Sequence, residues 1–231
     1  MDLKSKGALK FNVMTKRSYN QYCAVARGLD VIGDRWTLLL VRELILGPKR
    51  YADLLAACPG IGTNLLADRL REMEAQGLLE RATLPPPAGS TVYRLTEAGA
   101  ELETVVRAIG TWGARLMGPQ RRNEHLSAGA YFVAIRERFR PERAMGLHET
   151  YEFRVDGRVF EVRLDRGKCT TSEGSANRPD AVFTMDVETL NRLFLGQVTA
   201  AQAISGGSVQ VAGDAGALAR FQKVFFATRH P

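Results

Sequence analysis

The sequence predicts an α+β protein built as two units in series, and three observations carry that prediction. Apolar residues recur at helical spacing through the first half. They alternate at strand spacing through much of the second half. A break at Gly118-Pro119, followed by the polar run 120–123, separates the two patterns. The predicted units are 22–118 and 124–231, each of ordinary domain size.

In the first unit, residues 23–32 form a short helix that Gly33-Asp34 ends. Trp36, Leu40 and Leu44 stand four apart with Val41 and Ile45 beside them, so 37–46 is an amphipathic helix. Gly47-Pro48 stops it. Tyr51, Leu54, Leu55 and Cys58 fall on one stripe of a third helix, 51–58. The turn Pro59-Gly60-Ile61-Gly62 leads into a longer helix, 63–76, closed by Gly77. Leu65, Leu66, Leu70 and Met73 are expected on its core side. Runs 78–84 and 91–95 flank a Pro/Gly tip at 85–90 and read as a hairpin. Thr96-Glu97 opens a last helix with Leu102, Val105, Val106, Ile109, Trp112 and Leu116 on one stripe.

The second unit opens with a helix, 126–139. Strands 151–155 and 159–164 follow, joined by the turn Asp156-Gly157-Arg158. Further strands are expected at 168–172 and 181–185, then a helix at 187–196 with Leu190 and Phe194 inward. A short helix, 200–204, precedes Gly206-Gly207 and a final strand at 208–211. Leu218, Phe221 and Phe225 line the terminal helix.

Composition excludes several classes. A 45% hydrophobic and 25% charged chain of 231 residues is neither disordered nor a disulfide scaffold. No run approaches the ~18 apolar residues of a membrane span. The N-terminal stretch is polar and basic without an apolar core, so no signal peptide and no membrane are expected, and the cytoplasm is the expected compartment. Cys23, Cys58 and Cys169 are far apart, as are His125, His148 and His230, so no metal site and no cofactor are expected. The net charge of +7 is compatible with a nucleic-acid partner but weak by itself.

The element order of the first unit carries more weight. Two helices joined by a tight Gly-containing turn, followed by a two-stranded wing, describe a winged helix-turn-helix. The B-DNA major groove admits one helix, and the second helix of such a pair lies in it. The run LDVIGDRWTLLLVRELILGPKRYADLL, then PGIGTNLLADRLREMEAQGLLER, then VYRLTEAGAEL resembles the HxlR family of bacterial winged-helix transcription regulators. That resemblance covers roughly the first half and implies double-stranded operator DNA as partner and a homodimer formed through helices flanking the DNA unit. The family usually places Ser after the PGI turn. Here Gly62 stands there, which passes the expected capping role to Thr63.

The expected DNA-facing residues of the second helix are Thr63, Asn64, Ala67, Asp68 and Arg71. Asn suits bidentate contact with adenine, and Arg suits guanine or phosphate. Lys49 and Arg50 open the preceding helix, where phosphate contact would fix the register. The wing would bring Ser90, and with it Arg94, to the flanking backbone or minor groove. A polar face on an isolated helix is usually only solvated. The full order of elements favours DNA contact for the helix as a whole.

Some members of the resembled family sense oxidants through a cysteine placed like Cys23. A redox thiol there needs exposure and a nearby positive charge such as Arg27. The commoner fate of a free cysteine is a small buried hydrophobe, and burial is the favoured expectation.

The run DAVFTMDVETLNRLFLGQVTAAQAISGGSVQVAGDAGALARFQKVF resembles the sterol-carrier-protein-like domain. That implies an α+β fold with a mostly antiparallel five-stranded sheet and, in its best-known members, an apolar tunnel for lipids. A small apolar ligand is therefore a candidate partner, with Phe183, Leu190, Phe194, Phe221 and Phe225 as candidate lining. The same residues would fill a dry core equally well, which is the default.

No catalytic constellation is visible. Gly206-Gly207-Ser208-Val209-Gln210 lacks the far glycine of a nucleophile elbow. Gly60 and Gly62 lack the preceding strand of a dinucleotide loop. The expected activity is thus that of a non-enzymatic, one-component DNA-binding regulator. The alternative is a lipid-binding protein whose winged helix mediates protein interaction.

Overall fold

The computed structural model describes residues 18–84 and 89–226. Two compact units divide between Thr111 and Trp112.

The first unit runs α1 (Ala24–Ile32), α2 (Thr37–Leu44), α3 (Tyr51–Ala57), α4 (Thr63–Ala75), β1 (Leu79–Thr83), β2 (Thr91–Leu95) and α5 (Glu97–Gly113). Its core is aliphatic. Leu40, Val41 and Leu44 of α2 meet Leu54 of α3, Leu66, Leu70 and Met73 of α4, and Leu78-Leu79 at the start of the wing. Each such side chain contributes about 1.5–3 kcal/mol by leaving water. The hairpin is antiparallel, with Leu79 opposite Leu95 and Thr83 opposite Thr91. Its tip, expected at 85–90, falls outside the described residues at 85–88. A third rung was not anticipated: Lys49 pairs with Tyr93, each backbone N–H donating to the other's carbonyl at 2.9 and 2.8 Å. This bridge ties the entrance of α3 to the wing.

Gly77 takes φ +71°, the left-handed position that lets the chain leave α4 and enter β1. Thr96 connects that corner to α5. Its hydroxyl donates to the Gly77 carbonyl at 2.5 Å and accepts from Gly99 N–H at 3.1 Å. Gly99 is buried where α5 crosses the wing, and a Cβ there would lie 1.8 Å from the Leu78 carbonyl oxygen. Only glycine fits this crossing.

The second unit runs α6 (Ala128–Arg138), β3 (Glu149–Val155), β4 (Arg158–Asp165), β5 (Lys168–Glu173), β6 (Ala181–Met185), α7 (Val187–Phe194), α8 (Ala200–Ser205), β7 (Gln210–Gly213) and α9 (Ala217–Phe225). The sheet order is β5-β4-β3-β6-β7. All pairs are antiparallel except β3 with β6. Tyr151, Phe153, Phe160 and Val162 alternate onto one face, and α6 and α9 cover it through Phe132 and Phe221. The other face shows Arg154, Arg163, Thr170 and Thr184 to solvent. Residues 174–180 cross that face on the way from β5 to β6. Glu152, buried beneath the crossing, accepts from Ala176 N–H at 3.0 Å and pairs with Arg154 at 2.7 Å.

Several expectations shift. The last strand, expected at 208–211, is Gln210–Gly213. Ser208 and Val209 donate their N–H groups to the Ala203 carbonyl, finishing α8 before the strand begins. Phe194, expected inward, is half-buried at the end of α7. Cys23, expected to be buried, is exposed and precedes α1 as its N-cap residue. Among the described residues no helix is long and apolar enough to cross a membrane, and no group of three His, Cys, Asp or Glu could hold a metal ion.

Candidate nucleic-acid interface

The outward face of α4 follows from its helical period. Leu66, Leu70 and Met73, spaced four and three apart, enter the core. Thr63, Asn64, Asp68 and Arg71 are exposed and Ala67 is half-exposed, so all five expected positions lie away from the core residues. Leu65 corrects the sequence expectation: one step, about 100°, around the helix from Leu66, it is 41% exposed. It brings an apolar surface beside Asn64.

The start of α4 is held without a side-chain cap. Gly62 is the N-cap residue in extended conformation, and no side chain caps the helix. Thr63 is already the first helical residue, so it does not take the capping role expected of it. The Tyr51 hydroxyl instead donates to the Thr63 carbonyl at 2.6 Å, tying the first residue of α3 to that of α4. The middle of α4 is fixed by Arg69, whose side chain is mostly buried and pairs with Asp34 before α2 and with Glu72 one turn on. Neither Tyr51 nor Arg69 was anticipated as a positioning group. Tyr51 read only as an apolar position, and the Asp34 partner is far away in sequence.

The cations divide into two kinds. Arg71 pairs with Asp68 along the exposed face. Arg94 on the wing pairs with Glu80 across the hairpin at 2.7 Å. Arg50 is exposed at the start of α3, where its N–H donates to the Asp53 carboxylate at 3.0 Å, and its guanidinium has no carboxylate partner among the described residues. Lys49 does not belong with them. It is 3% exposed because the Tyr93 bridge folds it into the unit, so its ammonium is not presented to a phosphate as expected. Ser90 is half-buried, and its carbonyl accepts from Leu84 N–H.

In the second unit, most of the candidate lining is shared packing. Phe183 and Phe221 lie 4.9 and 4.8 Å from Phe153, and Phe225 lies 4.6 Å from Phe221, centroid to centroid. Leu190 is buried as well. Phe194 is separate: Tyr131 meets it edge-on at 5.0 Å and the Arg138 guanidinium lies 3.9 Å from its ring centroid. The Tyr131 hydroxyl donates to Asn191 at 2.8 Å, and burial pushes it up to about 12. Burial likewise pushes the Cys169 thiol up to about 12, which leaves it a poor nucleophile.

Residues 31–121 match the model of the HxlR-like helix-turn-helix family, and residues 132–226 match that of the SCP-2 sterol transfer family. The HTH-type transcriptional regulator YodB of Bacillus subtilis is 34% identical over 90 residues, which span 39% of this chain and 80% of YodB. The uncharacterised HTH-type transcriptional regulator YybR of the same organism is 37% identical over 91 residues, 39% of this chain and 73% of YybR. The solved reduced form of the B. subtilis regulator YodB is 30% identical with a TM-score of 0.38, covering 44% of this chain and 100% of that one.

Proposed function

The chain belongs to the HxlR-like helix-turn-helix family of transcriptional regulators, and from that premise we propose that it binds operator DNA as a homodimer, with α4 in the major groove and an SCP2-type domain bracing the dimer. The observation that carries this reading is the division of α4. Its core side is spent on Leu66, Leu70 and Met73, while Asn64, Asp68 and Arg71 have no packing role. Asn64 is the candidate base reader, and Arg50 with Ser90 and Arg94 flank it as backbone contacts.

Dimerisation is supported by the large apolar side chains left in water. Val25 and Leu29 on α1, with Tyr22 before it, are exposed. Ile109 and Trp112 on α5 and Leu116 just beyond are exposed too, Trp112 by 61%. A second copy of the chain would cover them. Operators read by helix-turn-helix proteins are pseudo-palindromes because the protein is two-fold symmetric.

For the second unit, ring-on-ring packing of Phe153, Phe183, Phe221 and Phe225 favours bracing over the sensing of an apolar ligand. A fluorescent long-chain fatty acid that binds the full chain and changes its DNA affinity would reverse that preference. Cys23, exposed before α1, is the candidate redox thiol. Alkylation of the native protein that spares Cys23 removes that role.

Gel shifts against genomic fragments test the whole reading. Asn64→Ala should cost about 1–3 kcal/mol in specific binding. Affinity unchanged in Asn64→Ala and Arg71→Ala alike would take α4 out of the groove. A lipid-binding protein with an interaction-only winged helix would show no salt-dependent binding to duplex DNA.

A further inference from the structure

We propose that Arg35, at the corner before α2, is a phosphate contact, and that Arg35 and Arg50 carry more of the electrostatic part of DNA binding than the carboxylate-paired Arg71 and Arg94. This rests on the DNA-binding reading above and names which charges do the work. Arg35 is exposed and has no carboxylate partner among the described residues. Its guanidinium lies 5.6 Å from the centroid of the neighbouring Trp36 ring, which restricts the side chain without neutralising it.

The two residues flanking Arg35 both reach toward the reading helix. Asp34 pairs with Arg69 in the middle of α4. The edge of the Trp36 ring comes to 3.8 Å from where a Cβ on Gly60 would stand, so the ring lies under the turn that launches α4. Arg35 therefore belongs to the same surface neighbourhood as the start of the reading helix, with Arg50 at the entrance of α3.

Charge balance decides between the two kinds of arginine. A phosphate contact gains by releasing a condensed counterion. An unpaired guanidinium makes that exchange outright. Arg71 brings Asp68 with it, and Arg94 brings Glu80, so each offers a compensated pair unless the pair first breaks.

The test is the slope of log affinity against log salt for the full-length protein on a random-sequence duplex. Arg35→Gln should flatten the slope by about 0.9, so its deficit against the wild type shrinks about 3–4-fold between 50 and 200 mM salt. Arg35→Lys keeps the charge and should restore the slope, which separates charge from stacking on Trp36. Arg71→Gln should flatten it less than Arg35→Gln. A steep wild-type slope unchanged in Arg35→Gln, or not restored by Arg35→Lys in a protein that melts like the wild type, overturns the role of Arg35 alone. A flat wild-type slope removes the DNA-binding reading and this proposal with it.

Discussion

The two units solve burial differently. The first has a core made mostly of leucines, with Val41, Cys58, Ile61 and Met73 among them, yet leaves Tyr22, Val25, Leu29, Leu65 and Ile109 in water. The second closes a sheet over Phe132, Phe153, Phe160, Phe183 and Phe221, each almost fully buried. The contrast teaches where partners belong. A unit that exposes large side chains at helical spacing has surface to give to another molecule. One whose rings pack on one another fills its core from within.

The sharpest way to break this comparison is to open the aromatic core. Phe153→Ala removes a ring that touches Phe132, Phe183 and Phe221, and should cost about 3–5 kcal/mol in urea unfolding. A much smaller loss would mean the rings are loosely held, with room for a ligand. Gly99→Ala attacks the first unit at its tightest point and should cost about 2–3 kcal/mol by overpacking against Leu78. Its DNA binding should fall with it, since the same crossing sets α5 against the wing.

Trp112→Ser sharpens the comparison from the other side. It removes an exposed ring, so its effect on unfolding at low protein concentration should stay within about 0.5 kcal/mol. The dimer should instead weaken, its dissociation constant rising about tenfold, or 1.4 kcal/mol, in sedimentation equilibrium. An unchanged dissociation constant would return Trp112 to a packing role within one chain.

The smallest expected effect is at Asp186. Its carboxylate accepts from Thr189 N–H at 2.7 Å and caps α7. The Thr189 backbone bond, then its hydroxyl, hold it below the usual carboxylate range. A depressed value stabilises the folded state above the ordinary carboxylate range and is lost as pH falls through the folded value. Asp186→Ala should cost about 1 kcal/mol at pH 7 and progressively less on acidification below pH ~4, followed by circular dichroism.

Much of this was legible in the sequence because period and punctuation are local signals. Leu66, Leu70 and Met73 announced α4, Gly77 its end, and Asp156-Gly157 the β3–β4 turn. What escaped depended on distant partners. Lys49 looked like an exposed cation until the Tyr93 bridge folded it in. Arg69 carried no signal in the sequence, because its partner Asp34 comes from another corner. Cys23 went the other way, exposed because it precedes α1 with nothing packed on it. Leu65 shows the limit of counting apolar residues: one step, about 100°, around α4 from the fully buried Leu66, it stays 41% exposed.

The crossing at 174–180, pinned on Glu152, has a kinetic consequence. β3, β4 and β5 are consecutive antiparallel neighbours, so they can zip as a meander from short loops. The parallel β3–β6 pair cannot form until the chain has travelled back across two strands. Refolding of this half should therefore have its nucleus in the meander, with β6 and α7 arriving late. Glu152, whose bond from the Ala176 N–H forms only once the crossing is laid down, would slow folding little when replaced and speed unfolding more.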